Sequence, residues 1–173
     1  MTAKIKEFPG TALHTEDFGQ KRVLTTHWVP KAEYAWDAGV AIGRYLAELK
    51  NGKLVGVRCY HCHRTVIPPR VFCEECFHPM DEYVELPDTG TLNTFSVCFV
   101  KWDMTRIKEP LIPAVIEIDG TNHAGIMHML GEVGPDPTKT LKVGLRVQAV
   151  WKPAEERTGA ITDIRYFKVI REA

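Results

Sequence analysis

Cys59-Tyr60-His61-Cys62 and Cys73-Glu74-Glu75-Cys76 place four cysteines in a C-x2-C-x10-C-x2-C pattern, and no other stretch constrains the fold as strongly. Two thiolates separated by two residues grip one metal ion from a tight turn, and two such turns complete a tetrahedral site. With Cys59, Cys62, Cys73 and Cys76 all supplying sulfur, no position is left for water or substrate. The expected group is therefore a structural Zn2+ that stabilises a ribbon and does no Lewis-acid chemistry. The same ligands suit a single redox-active iron, and paired disulfides are the third reading. Met1-Thr2-Ala3-Lys4-Ile5-Lys6 opens the chain without the apolar stretch of a signal peptide, so a reducing, cytoplasmic location is expected, which favours metal over cystine. His61, His63 and His78 flank the cysteines, but four thiolates already satisfy the coordination number. Cys98, within Thr94 to Val100, reads as a small buried hydrophobe on a strand, since no local base accompanies it.

Outward from the cysteines, the 173 residues with 45% hydrophobic content suffice for one substantial core or two small ones, and no apolar run is long enough to span a membrane. The 22 basic and 22 acidic residues balance, which argues against a nucleic-acid module, because such modules are usually markedly basic. From Met1 to about Lys31 the chain has no clear period and reads as an extended arm or a disordered terminus. From about Ala32 to Lys50, Tyr34, Ala38, Ile42, Tyr45, Leu46 and Leu49 recur at helical spacing, and Asn51-Gly52 stops the helix. Its stripe suits packing on the chain's own core, with a partner's groove as the alternative. Leu54 to Arg58 reads as a strand entering the first knuckle, and the prolines of Val66 to Arg70 keep the crossing to the second extended.

Beyond about Asp81 the pattern turns to β, with strands expected at Thr91 to Val100, Ala114 to Ile118, His123 to Leu130, Leu145 to Trp151 and Ile161 to Val169. Five such strands fit a closed OB-fold barrel better than a sandwich of seven or more. The expected fold is mainly β with an N-terminal helix: arm and helix over 1–52, a rubredoxin-like zinc ribbon over 53–80 and a five-stranded OB-fold over 81–173.

Lys53-Leu54, Pro68-Pro69-Arg70, Gly90-Thr91-Leu92, Pro113-Ala114-Val115-Ile116 and Val143-Gly144-Leu145-Arg146-Val147 carry a resemblance. In this order, over roughly Trp36 to Val169, the chain resembles the acyl-CoA-associated family that couples a rubredoxin-like zinc ribbon to an OB-fold. The resemblance implies a non-catalytic subunit of thiolase, hydroxymethylglutaryl-CoA synthase or related enzymes, which helps build the CoA channel at the shared interface. It departs from simpler members in the segment Met1 to about Tyr34 and in the loop Lys101 to Lys108. In that loop Lys101, Arg106 and Lys108 suit the phosphates of CoA or acyl-CoA and Trp102 suits its adenine or an apolar wall, whereas the plainer reading is a solvated barrel loop with a half-buried tryptophan. Arg70 is expected to orient the ribbon.

No G-x-S-x-G elbow, Gly-rich phosphate loop, H-E-x-x-H pair or dinucleotide fingerprint occurs, so the chain is not expected to be catalytic alone. His123 and His128 are expected on opposite faces of one strand, and Glu117 and Asp119 on one face at a turn, where acid–base work is the minor reading. The expected partner is a thiolase-like catalytic subunit. The rival is a nucleic-acid-binding ribbon and barrel using Phe95, Phe99, Tyr166 and Phe167, a track that Glu109, Glu117, Asp119, Glu155 and Glu156 interrupt.

Overall fold

The computed structural model describes residues 12–170, and the first part of the expected arm lies outside them. The chain divides into two compact units, Met1–Trp36 and Asp37–Ala173. In the first, α1 (Thr15–Gly19) is one short turn of helix, entered where the His14 amide donates to the Asp17 carboxylate at 2.9 Å. No helix or strand follows before residue 39. Trp28, Tyr34 and Trp36 are exposed, and the last two rings lie 6.3 Å apart.

The second unit opens with α2 (Gly39–Lys50), which begins later than the expected Ala32. The reason is local. The Gly39 amide donates to the Asp37 carboxylate at 2.7 Å, and Gly39 has φ of +66°, a left-handed turn that a helix cannot run through. Tyr34 therefore does not belong to the apolar stripe. Ala41, Tyr45 and Leu49, at i, i+4 and i+8, are buried, and Tyr45 and Leu49 join the same core as the barrel residues Leu92, Ile116 and Phe167. The stripe thus packs on the chain's own core. Burying Leu49 completely contributes about 1.5–3 kcal/mol. The Tyr45 hydroxyl is sealed in that core, and burial pushes its pKa up to about 12.

The ribbon is a three-stranded antiparallel sheet of order β2-β1-β3, from β1 (Leu54–Cys59), β2 (Thr65–Val66) and β3 (Met80–Leu86). Next, β4 (Thr89–Phe95) starts the barrel, and β5 (Cys98–Val100) and β6 (Arg106–Leu111) form a separate two-stranded hairpin. The expected strand to Val100 is thus broken after Phe95. Cys98 sits half-buried on the hairpin, not inside the core as expected, and pairs across from Leu111.

The barrel is completed by β7 (Pro113–Ile118), β8 (Gly125–Met129), the short α3 (Pro137–Thr140), β9 (Arg146–Trp151) and β10 (Ile164–Val169). Its antiparallel order is β10-β9-β4-β7-β8, and a parallel bridge between Leu130 and Phe167 joins the two ends. This is the five-stranded, OB-like architecture expected. Inward residues alternate along β7, where Ala114, Ile116 and Ile118 are buried. Strands approach so closely at Gly125 that a Cβ there would lie 2.2 Å from the Ile116 carbonyl oxygen.

Two expectations near the barrel ends need correction. His123 precedes β8 in a turn, at φ of +54°, so it and His128 do not share a strand. Residues Ile161–Asp163 form a 3-10 turn in place of the start of the last strand. The buried Asp163 carboxylate holds that turn by accepting the amides of Thr158, Gly159 and Ala160 at 3.0, 2.7 and 3.1 Å. Burial opposes its ionisation, yet the three amides hold its pKa below the usual carboxylate value.

Candidate metal centre and basic hairpin

The two cysteine turns repeat one backbone design. In the first, the Cys59 amide donates to the Arg64 carbonyl and the His63 amide to the Cys59 carbonyl; in the second, Cys73 donates to His78 and Phe77 to Cys73. His63 and Phe77, the equivalent residues, both have positive φ, at 59° and 58°. Each turn is therefore wound tightly enough to aim both of its sulfurs inward. The four sulfurs lie within 4.8 Å of one another, with Cys59 to Cys76 at 3.5 Å and Cys62 to Cys73 at 3.6 Å. Such a cluster can hold a metal ion.

The local electrostatics favour thiolates at Cys59 and Cys73 and oppose them at Cys62 and Cys76, where a backbone amide lowers each thiol but burial and neighbouring sulfurs outweigh it. The Cys62 amide, and then that of His61, bring the Cys59 thiol down to about 7 against the opposing effect of burial. The Cys76 and Glu75 amides lower Cys73 in the same way. At Cys76 the His78 amide pulls downward, but burial and the three neighbouring sulfurs push the thiol up to about 12. Four like-charged sulfurs this close repel one another, and a divalent cation among them removes that repulsion. The donor set thus fits Zn2+.

Arg64 reaches across the two turns, lying 3.2 Å from Glu74 and 3.1 Å from Glu75. The Glu74 contact is an ion pair without hydrogen-bond alignment, since the Arg64 Nε has no aligned acceptor. Arg70 pairs with Glu74 at 3.1 Å, in keeping with an orienting role in the ribbon. His61 and His78 stack with ring centres 3.9 Å apart and form a second potential ligand group with Cys76. His63 is not part of it.

Lys101, Trp102, Arg106 and Lys108 lie together on the β5–β6 hairpin. The Lys101 amide donates to the Thr105 carbonyl at 2.9 Å, Met104 adopts φ of +67°, and the Asp103 carboxylate accepts the Thr105 amide at 3.0 Å. This tight tip leaves all four side chains largely in solvent, with Trp102 95% exposed.

The other candidates resolve differently. Glu117 accepts from Asn93 at 2.6 Å and pairs with His123 at 3.3 Å, while Asp119 pairs with Arg146 and accepts from Thr89. The Arg146 guanidinium holds Asp119 below the usual carboxylate range, the wrong direction for a general acid. Of the rings offered to nucleic acid, Phe167 is fully buried. Among the described residues no helix is long and apolar enough to cross a membrane.

Sequence reasoning missed two apolar grooves on the outside of the barrel that meet at Pro113 and Met127. The signal was present in β8, Gly125-Ile126-Met127-His128-Met129, where apolar residues fall on both faces instead of alternating with polar ones.

Residues 83–152 match the family described as ChsH2, C-terminal OB-fold domain. A DUF35 domain-containing scaffold protein of Methanocaldococcus jannaschii is 28% identical over 120 residues, covering 68% of this chain and 82% of that protein. A Sulfolobus solfataricus DUF35-family protein of unknown function superposes with a TM-score of 0.57 at 20% identity, over 76% of this chain and 84% of its own. The structure of an Ltp2-ChsH2(DUF35) aldolase contains a chain that superposes with a TM-score of 0.54 at 19% identity, over 80% of this chain and 98% of that one.

Proposed function

We propose, on the premise that this chain resembles the acyl-CoA-associated DUF35 family and carries a ChsH2-type OB-fold domain, that it is a non-catalytic subunit of an acyl-CoA-processing complex. The observation that carries the proposal is the match of the barrel to a domain described for ChsH2, in a chain whose candidate catalytic carboxylates are spent on structural pairs. A scaffold protein and an aldolase-associated chain among its likenesses support the accessory role.

In the finer form of this reading the catalytic partner is of thiolase type, acting on a β-ketoacyl-CoA. The chain docks on it and helps form the CoA channel. Cys59, Cys62, Cys73 and Cys76 hold a structural Zn2+, which when bound cross-links the two turns and supplies no further chemistry. Lys101, Arg106 and Lys108 meet CoA phosphates, and Trp102 covers the adenine. Exposure of all four on one hairpin supports this assignment, because they are presented outward where an interface can use them.

The test is recovery of a tagged full-length chain from its native extract, identification of what accompanies it, and calorimetry of CoA binding to the chain, the partner and the complex. CoA bound well by the complex and poorly by either part is the expected result. A partner that binds CoA equally well alone removes the channel role.

A further inference from the structure

We propose that the outward face of β7 and β8 is the surface on which the catalytic subunit docks, through an extended apolar segment of that subunit flanked by carboxylates; the inference rests on the accessory-subunit reading. A groove of about 560 Å3 is lined by Met127, Met129, Ile161 and Ile164, with Lys152 and Arg165 among its residues. A second, of about 210 Å3, is lined by Phe95, Ala114 and Val115 and shares Pro113 and Met127 with the first. Together they make a continuous apolar track on a barrel face where alternation would place polar residues. Met127, at its centre, is 72% exposed. Two methionines in such a track can repack against a partner's side chains.

The backbone supplies a second argument. β8 ends the sheet order, and the bonds from the Ile118 amide to Ala124 and from the Leu130 amide to Ile112 show that even-numbered residues of this stretch face β7. The N–H and C=O of Met127 therefore point away from β7, as an edge strand offers them to an added segment.

Charge decides the chemistry of the occupant. No carboxylate lines either groove, and Arg165 makes no ion pair among the described residues. Its guanidinium lies 5.9 Å from the Tyr166 ring centre, leaving it available to a partner's carboxylate. The groove between α2 and the ribbon differs, because its Arg70 is already paired with Glu74 at 3.1 Å. Both charges lining that groove, Arg70 and Glu74, are thus paired with each other, and it serves as the control.

The experiment measures the affinity of the full-length chain for its co-purified catalytic subunit by surface plasmon resonance. Met127→Glu should weaken binding at least about tenfold, placing a charge in the centre of an apolar contact. Arg165→Glu should slow association and reduce its salt dependence. Val40→Glu, in the control groove, should bind as wild type, and all three should melt with wild type because the sites are exposed. Wild-type affinity for Met127→Glu and Arg165→Glu, in a complex that wild type forms, overturns the proposed surface and leaves the accessory role standing. If wild type forms no complex with an acyl-CoA enzyme, the accessory role falls and the surface with it.

Discussion

Replacing Asp163 by alanine removes the single acceptor shared by three backbone amides, those of Thr158, Gly159 and Ala160, at 3.0, 2.7 and 3.1 Å. Asp163 is fully buried, whereas Thr158 is exposed and Gly159 and Ala160 are half-buried, so water recovers part of what is lost. Counting one orphaned amide at its full cost and the others at a net hydrogen bond each gives a destabilisation of about 2–6 kcal/mol. The Asp163→Asn variant, which keeps one acceptor oxygen at that position, should lose roughly half as much. The sign with pH follows from the lowered pKa. A carboxyl held below its unfolded value contributes stability that is present above the unfolded pKa and is lost as pH falls through the folded one. Urea unfolding, followed by circular dichroism at pH 7 and at steps down to about pH 3, reads both effects, and the difference between wild type and Asp163→Asn should shrink on the acidic side. An Asp163→Ala midpoint unchanged at pH 7, at equal m-value, would refute the argument that this carboxylate holds the turn.

Other outcomes follow from the same structure. Cys59→Ser should leave protein that fails to retain stoichiometric zinc and unfolds in the ribbon, since a structural site contributes on the order of 10 kcal/mol; metal analysis with tryptic digestion reads both. Leu49→Ala, at a position with no exposure in the shared core, should cost about 2–5 kcal/mol in urea unfolding. Reversing Lys101, Arg106 and Lys108 together to glutamate should weaken CoA binding by the complex at least about tenfold while leaving the melting temperature near wild type, because all are at an exposed hairpin.

What can be read in the sequence is what is encoded locally. The cysteine turns are short enough that spacing pairs the two sulfurs within each, and the repeat of the pattern signals that the two turns meet; Ala114, Ile116 and Ile118 alternate inward as their pattern predicts. The family resemblance is likewise borne out by the barrel match at residues 83–152. The helix start is misplaced by the sequence pattern because Tyr34 and Ala38 continue the apolar period, while the Asp37 to Gly39 turn that ends it depends on one backbone angle. The β5–β6 hairpin is hidden because Cys98-Phe99-Val100 has strand composition whether it extends β4 or pairs with β6. The apolar face of β7 and β8 is hinted at by apolar residues on both faces of β8, but that Met127 is the exposed one is settled only by the closed barrel.

The shared CoA channel, the core of the proposed function, is tested most directly by isothermal titration of CoA into the full-length chain, the co-purified catalytic subunit and their complex at one salt concentration. The account predicts binding that is strong only in the complex and that weakens when Lys101, Arg106 and Lys108 are reversed. Equal CoA affinity for the catalytic subunit with and without this chain would contradict it.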